Sequence, residues 1–127
     1  MIGLDANVLV RYIAQDDALQ SPKATALIER KLTPDDPGFI SLVALAETVG
    51  VLERAYRLSD ETLVAVIERL LQAEALVVQN EREVFLAAMT LKAGHASFSD
   101  ALGAKSGCSY TATLDRKAAR LPDFELL

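Results

Sequence analysis

The sequence predicts an α/β domain built on a mainly parallel sheet. Short strand-like apolar runs alternate with helix-periodic runs from one end of the chain to the other. Most of the helical runs open on a Ser or Asn start signal. The 127 residues allow one domain, spanning 1–127, and no second.

The first strand is expected at residues 2–4, followed by a short helix carrying Val8, Leu9 and Tyr12. Ser21 before Pro22 reads as an N-cap with proline at the first helical position, opening a helix that reaches about residue 31. Residues 33–38, with two prolines, form a loop. Phe39 and Ile40 make a short strand that ends at Ser41, the expected cap of the helix beginning LVALAETVGVLERAY. Ser59 caps the next helix, where Leu63, Ile67 and Leu70 recur at helical spacing with Val66 beside them, and Glu68, Arg69 and Gln72 form the wet side. A third strand is expected at residues 75–79. Asn80 and Glu83 then form a capping box for a helix running through Leu91, and Gly94 ends it. Ser99 caps a short helix, DALGAKSG, and residues 109–113 supply a fourth strand. The turn DRKAARLP leads to a short fifth strand at 124–127.

Apolar residues make up 51% of the chain but fall in short runs between charged positions, the pattern of a soluble globular domain. No run approaches the roughly 20 apolar residues needed to cross a bilayer. The N-terminus lacks a basic segment followed by an apolar stretch and a cleavage site, so a cytoplasmic location is expected. The single cysteine, Cys108, cannot form an intrachain disulfide, which agrees with a reducing compartment, and reads as a small buried hydrophobe. A formal charge of −5 repels long anionic partners on average. A nucleic-acid substrate would therefore need local basic patches or bound cations, whereas a basic protein partner suits the charge directly.

Four acids fall where an open parallel sheet places its ligands, outside the carboxyl ends of the strands. Asp5 follows the first strand and Asp115 the fourth. Asp100 lies in the first turn of a helix, where the dipole favours negative charge. Glu47 lies inside its helix with Val43, Gly50 and Val51 as neighbours. Each has an ordinary alternative: Asp5 as a cap, Asp100 as a first-turn acid, Asp115 as a cap or a partner of Arg116 or Lys117, and Glu47 as a partner of Arg54 or a side chain reaching out to water. Grouped carboxylates resist sharing a site unless a divalent cation neutralises them. Oxygen-only donors suit Mg²⁺ or Mn²⁺, while a single histidine, His95, and a single thiol disfavour zinc. His95, following Gly94 at a helix end, reads as a surface or loop residue. Such a site hydrolyses a phosphodiester with a metal-activated water and needs no nucleophilic side chain. This accords with the absence of a Ser/His/Asp or Cys/His arrangement, a G-x-x-x-x-G-K-[ST] loop or a G-x-G-x-x-G turn.

In DANVLVRY, ISLVALAETVGVLERAY, SFSDALGAKSGC and TATLDRKAARLP, taken in order over the whole chain, the sequence resembles the PIN-domain family. Within that family it resembles the VapC-type toxins of toxin–antitoxin pairs. The resemblance implies a PIN-like three-layer fold, with a central mainly parallel sheet of four to five strands and helices on both faces. It also implies a metal-dependent endoribonuclease in which Asp5, Glu47, Asp100 and Asp115 hold Mg²⁺ (or Mn²⁺) for RNA cleavage. Asn7 matches the polar support of the first aspartate, and Ser99 and Thr113 match small polar positions beside the third and fourth acids. A homodimer and a VapB-type antitoxin, its tail occupying the active site, are implied partners. Arg11, Arg116 and Lys117 adjoin the acids in sequence and are candidates for phosphate contacts. Two positions depart from the family pattern: Ala6 stands where many relatives carry Thr or Ser, and Ser97 where many carry Asp.

Two other readings compete. The same fold could act as a binding module with an idle metal site, working through the helices that begin at Leu42 and after Ser59. A small phosphatase or a response-regulator-like receiver is disfavoured, because DANVL lacks the second acid either would need.

Overall fold

The computed structural model describes residues 1–104 and 107–127, and the strand Gly38–Ile40 is the most deeply buried in it. Strands β1 (Ile2–Gly3), β2 (Gly38–Ile40) and β3 (Leu76–Val78) form a parallel sheet in the order β1-β2-β3, with Gly3 opposite Phe39 and Phe39 opposite Val77. Strands β4 (Thr111–Thr113) and β5 (Phe124–Leu126) pair in parallel as a second sheet, Thr111 opposite Phe124. The five strands expected from the sequence are present and every pairing is parallel, but they are divided between two sheets. Ile2 and Leu4 donate their N–H groups to Pro37 and Phe39, both on the β2 side. Among the described residues no strand pairs with the other edge of β1.

Around these strands lie α1 (Ala6–Ala14), α2 (Gln20–Ala26), α3 (Leu42–Arg54), α4 (Asp60–Gln72), α5 (Glu81–Lys92) and α6 (Phe98–Ala104). A π-helical turn, Leu27–Lys31, continues α2, and a 3₁₀ turn, Ala118–Arg120, precedes β5. The apolar positions expected on one face of α4, Leu63, Ile67 and Leu70, are buried. They join Leu9, Ile40, Leu45, Leu52, Val84 and Phe98 in a single core. Burying each large aliphatic side chain contributes roughly 1.5–3 kcal/mol. Gly38 is required by this packing: a Cβ there would meet Leu32 Cδ1 at 2.7 Å and Leu4 Cδ1 at 2.9 Å.

Ser41 and Ser59 cap their helices as expected, accepting the N–H of Ala44 at 3.1 Å and of Thr62 at 3.3 Å. Three other helix starts differ from the sequence reading. Helix α2 begins at Gln20, and its first N–H groups are met by Asp17, whose Oδ1 accepts from Leu19 and Gln20. Ser21 is thereby released from capping: it is buried and donates its hydroxyl to the Arg11 carbonyl at 2.8 Å, tying α2 to α1. Asn80 precedes α5 in the left-handed conformation at φ 50° and makes no side-chain capping bond, so no capping box forms with Glu83. Helix α6 is capped by Ser97 rather than Ser99, with Ser97 Oγ accepting the Asp100 N–H at 3.2 Å. Its earlier start at Phe98 carries that ring into the core, where it is 1% exposed. Residues 105–106 of the expected helix lie outside the described residues.

Gly94 ends α5 as expected, at φ 74°. Its N–H bonds to Leu91 O and that of His95 to Thr90 O, closing the helix end with a left-handed glycine. Cys108, expected to be buried, is exposed. It sits in the polar approach to β4, away from the apolar faces that build the core.

Candidate active site

The carboxylate of Asp5 does two things at once. Its residue is the N-cap of α1, extended at φ −88° and ψ 172°, and Oδ1 accepts the Val8 N–H at 3.0 Å. The cap alternative is therefore true, yet it uses only one oxygen. Among the described residues, Oδ2 has no protein partner and the group forms no ion pair. An N-terminal helix end favours the charge.

Glu47 projects from the middle of α3 and is exposed. It forms no ion pair with Arg54. The Arg54 guanidinium instead folds back over Gly50, where a Cβ would meet Nη1 at 3.0 Å. Helices α1 and α3 pack together, and Asp5 and Glu47 line the same open hollow of about 390 Å³, with Gly3, Leu4, Phe39, Ser41 and Val43. These residues end β1 and β2 or begin the following helices, so the hollow lies at the carboxyl ends of parallel strands.

Asp100 and Asp115 are not among the residues lining that hollow. Asp100 is half-buried in the first turn of α6, its N–H held by Ser97. Asp115 is exposed, and its Oδ1 accepts the Lys117 N–H at 2.8 Å, capping the turn after β4. Thr113 supports it: Thr113 Oγ1 accepts the Asp115 N–H at 3.0 Å. Ser99 is exposed. Among the described residues no three Asp, Glu, His or Cys side chains stand close enough together to hold a metal. The structure thus brings two of the four acids together.

Asp5 also borders a second hollow, of about 510 Å³, that includes Asn7, Arg11, Gln20, Lys23 and Leu27. Arg11 is engaged there, with Nε donating to Gln20 Oε1 at 2.8 Å and Nη1 at 3.5 Å from Asp16. Tyr56 donates to the other oxygen of Asp16 at 2.7 Å, and this bond is the main reason its hydroxyl titrates above 10.0. Lys23 was not visible as a site residue in the sequence, because it arrives from α2 with no acid beside it. A larger hollow of about 700 Å³ lies among α1, the π turn and α4 and contains none of the four acids. There Tyr12 donates to Glu29 at 3.0 Å, and burial first, then that bond, raises its pKa.

The donor chemistry fits a hard divalent cation. Mg²⁺ is commonly bound by one or two carboxylates and keeps several waters. Asp5 and Glu47 supply such a pair from two packed helices, both open to solvent and neither neutralised by a side-chain cation among the described residues.

The PIN domain family matches residues 2–122, nearly the full length described above. Neither a curated protein nor a solved structure matches the chain. The chain belongs to the PIN domain family, whose members are typically nucleases, generally use divalent metal ions and act on nucleic acids.

Proposed function

From its place among PIN domains, we propose that this chain is a Mg²⁺- or Mn²⁺-dependent endoribonuclease, acting as the toxin of a VapBC-type toxin–antitoxin pair. The observation that supports it most is the open hollow at the carboxyl ends of β1 and β2, where Asp5 and Glu47 face solvent without a cationic partner among the described residues. In this reading Asp5 and Glu47 hold the cation, Asp100 and Asp115 complete its surroundings, and Asn7, Ser99 and Thr113 support the acids. The cation supplies, when bound, a water of lowered pKa and neutralisation of developing phosphate charge.

The chain's own groups do the remaining work. The N-terminal turn of α1 holds one oxygen of Asp5 through the Val8 N–H and leaves the other open to a ligand. Lys23 and Arg11 offset the acids where a phosphodiester would approach. Thr113 and the Lys117 N–H hold the Asp115 turn. A cytoplasmic homodimer, inhibited by a VapB-type antitoxin with a basic tail, accords with the charge of −5.

Cleavage of single-stranded RNA by purified protein, with Mg²⁺, with Mn²⁺ and after chelation, tests this. Asp5→Asn and Asp100→Asn are expected to abolish cleavage and growth inhibition while leaving the fold intact. Undiminished metal-dependent cleavage by both variants overturns the assignment. Calorimetric titration with Mn²⁺ separates it from an idle binding module, which would remain folded and bind no metal.

A further inference from the structure

A third hollow, of about 450 Å³, lies between the end of α5, α6 and the turn before β5. Its charged lining leans basic, unlike the chain as a whole: Lys117 and Arg120 border it with Asp123 as the one acid among the lining residues, and the His95 imidazole stands beside them. None of the three basic side chains forms an ion pair among the described residues, Asp123 included. Each comes from a different local device: His95 from the left-handed closure of α5 at Gly94, Lys117 from the turn held by Asp115, and Arg120 from the 3₁₀ turn. Thr90 adds a hydroxyl to the same wall.

Two of the proposed acids lie close to its lining residues in the chain. Lys117 gives its backbone N–H to Asp115 Oδ1, and Ala101 of the lining directly follows Asp100. Lys117 and Arg120 outnumber Asp123 along this wall, and both are exposed. A phosphodiester can meet cations that form no ion pair with an acid among the described residues.

We propose that this hollow is a phosphate subsite for single-stranded RNA, gripping a phosphodiester of the substrate other than the one cut, through Lys117, Arg120 and His95. The inference rests on the nuclease reading for its ligand but not for its measurement. On a chain of net charge −5 it supplies the local positive field that composition alone withholds.

The test is binding of a short single-stranded RNA to the full chain carrying Asp5→Asn, alone and with Lys117→Gln or Arg120→Gln, across a range of salt. Each added substitution is expected to make the slope of log affinity against log salt shallower by about 0.7. In otherwise native protein the same substitutions should raise KM more than they lower kcat, with unchanged thermal midpoints. His95 is the only histidine, so its imidazole resonances give an unambiguous local probe. They should shift with a dinucleoside monophosphate, and His95→Gln should weaken RNA binding. Unchanged salt slopes overturn the subsite even if native protein cleaves RNA. Resonances that respond to orthophosphate but not to the dinucleoside monophosphate overturn it also, marking a free-anion site. Shallower slopes without cleavage by native protein would keep the subsite and remove the nuclease reading.

Discussion

Replacing Asp5 by two different residues separates its roles. Asn at position 5 retains an acceptor for the Val8 N–H, so the cap survives; Ala removes it. Both lose the negative charge at the N-terminus of α1, worth about 0.3–1 kcal/mol. Ala loses the cap as well, typically ~1 kcal/mol more, for a total of roughly 1–2 kcal/mol. For a chain of this size each kcal/mol moves Tm by about 4 °C. Asp5→Asn should therefore melt within about 4 °C of native protein, and Asp5→Ala lower by roughly 4–8 °C. A ligand at a hundred times its Kd adds about 2.7 kcal/mol, close to 10 °C on the same scale. Native protein is expected to gain that on adding Mn²⁺, and Asp5→Asn to lose most of the gain together with RNA cleavage. Thermal melts with and without Mn²⁺, run beside a cleavage assay, read all of this. If Asp5→Asn keeps both the metal-linked rise and the cleavage, the carboxylate is a cap and nothing more. If Asp5→Ala melts with Asp5→Asn, the cap itself is wrong.

Three further outcomes are expected. Gly38→Ala pushes a methyl into Leu32 and Leu4 and should cost about 1–3 kcal/mol in urea unfolding, since both leucines are buried and have little room to move. Ser97→Ala removes the cap of α6 for about 1 kcal/mol and should lower cleavage beyond what Tm explains, because the lost bond is to the N–H of Asp100 itself; Ser99→Ala should leave stability unchanged. Asp17 is held below the ordinary 3.8 by the N–H groups of Gln20 and Leu19, so its contribution is complete above pH 3.8 and is lost as pH falls through the lowered value. Asp17→Asn, which mimics the protonated carboxyl, should accordingly lower urea midpoints near neutral pH, converge with native protein at the acid end and so flatten the acid limb below pH 3.8.

The sequence carried most of the architecture because its local signals agree. Ser41, Ser59 and Gly94 terminate helices where their chemistry says they should, and the periodic leucines of α4 are buried. The helix starts that differ do so for separate reasons. Ser21 bonds across to Arg11, and Ser99 yields to Ser97 because Phe98 must be buried. Asn80 adopts a backbone conformation that no spacing rule exposes. For the site, the position of acids after strands was legible, and it led to Asp5 and Glu47 in one hollow. The basic groups were not. Lys23, Arg120 and His95 are brought to their hollows by tertiary packing, and nothing in their neighbours along the chain marks them.

Dividing five strands between two sheets multiplies their edges. Among the described residues β1, β3, β4 and β5 each have one side unpaired, and none is longer than three residues. An edge that short offers another chain too few N–H and C=O groups to seed intermolecular pairing. Strand shortness therefore protects these edges against fibril-like association. Its weakest point is β5, where Leu126 and the adjoining Leu127 remain exposed, so a polar residue at position 126 is where solubility during overexpression should gain most.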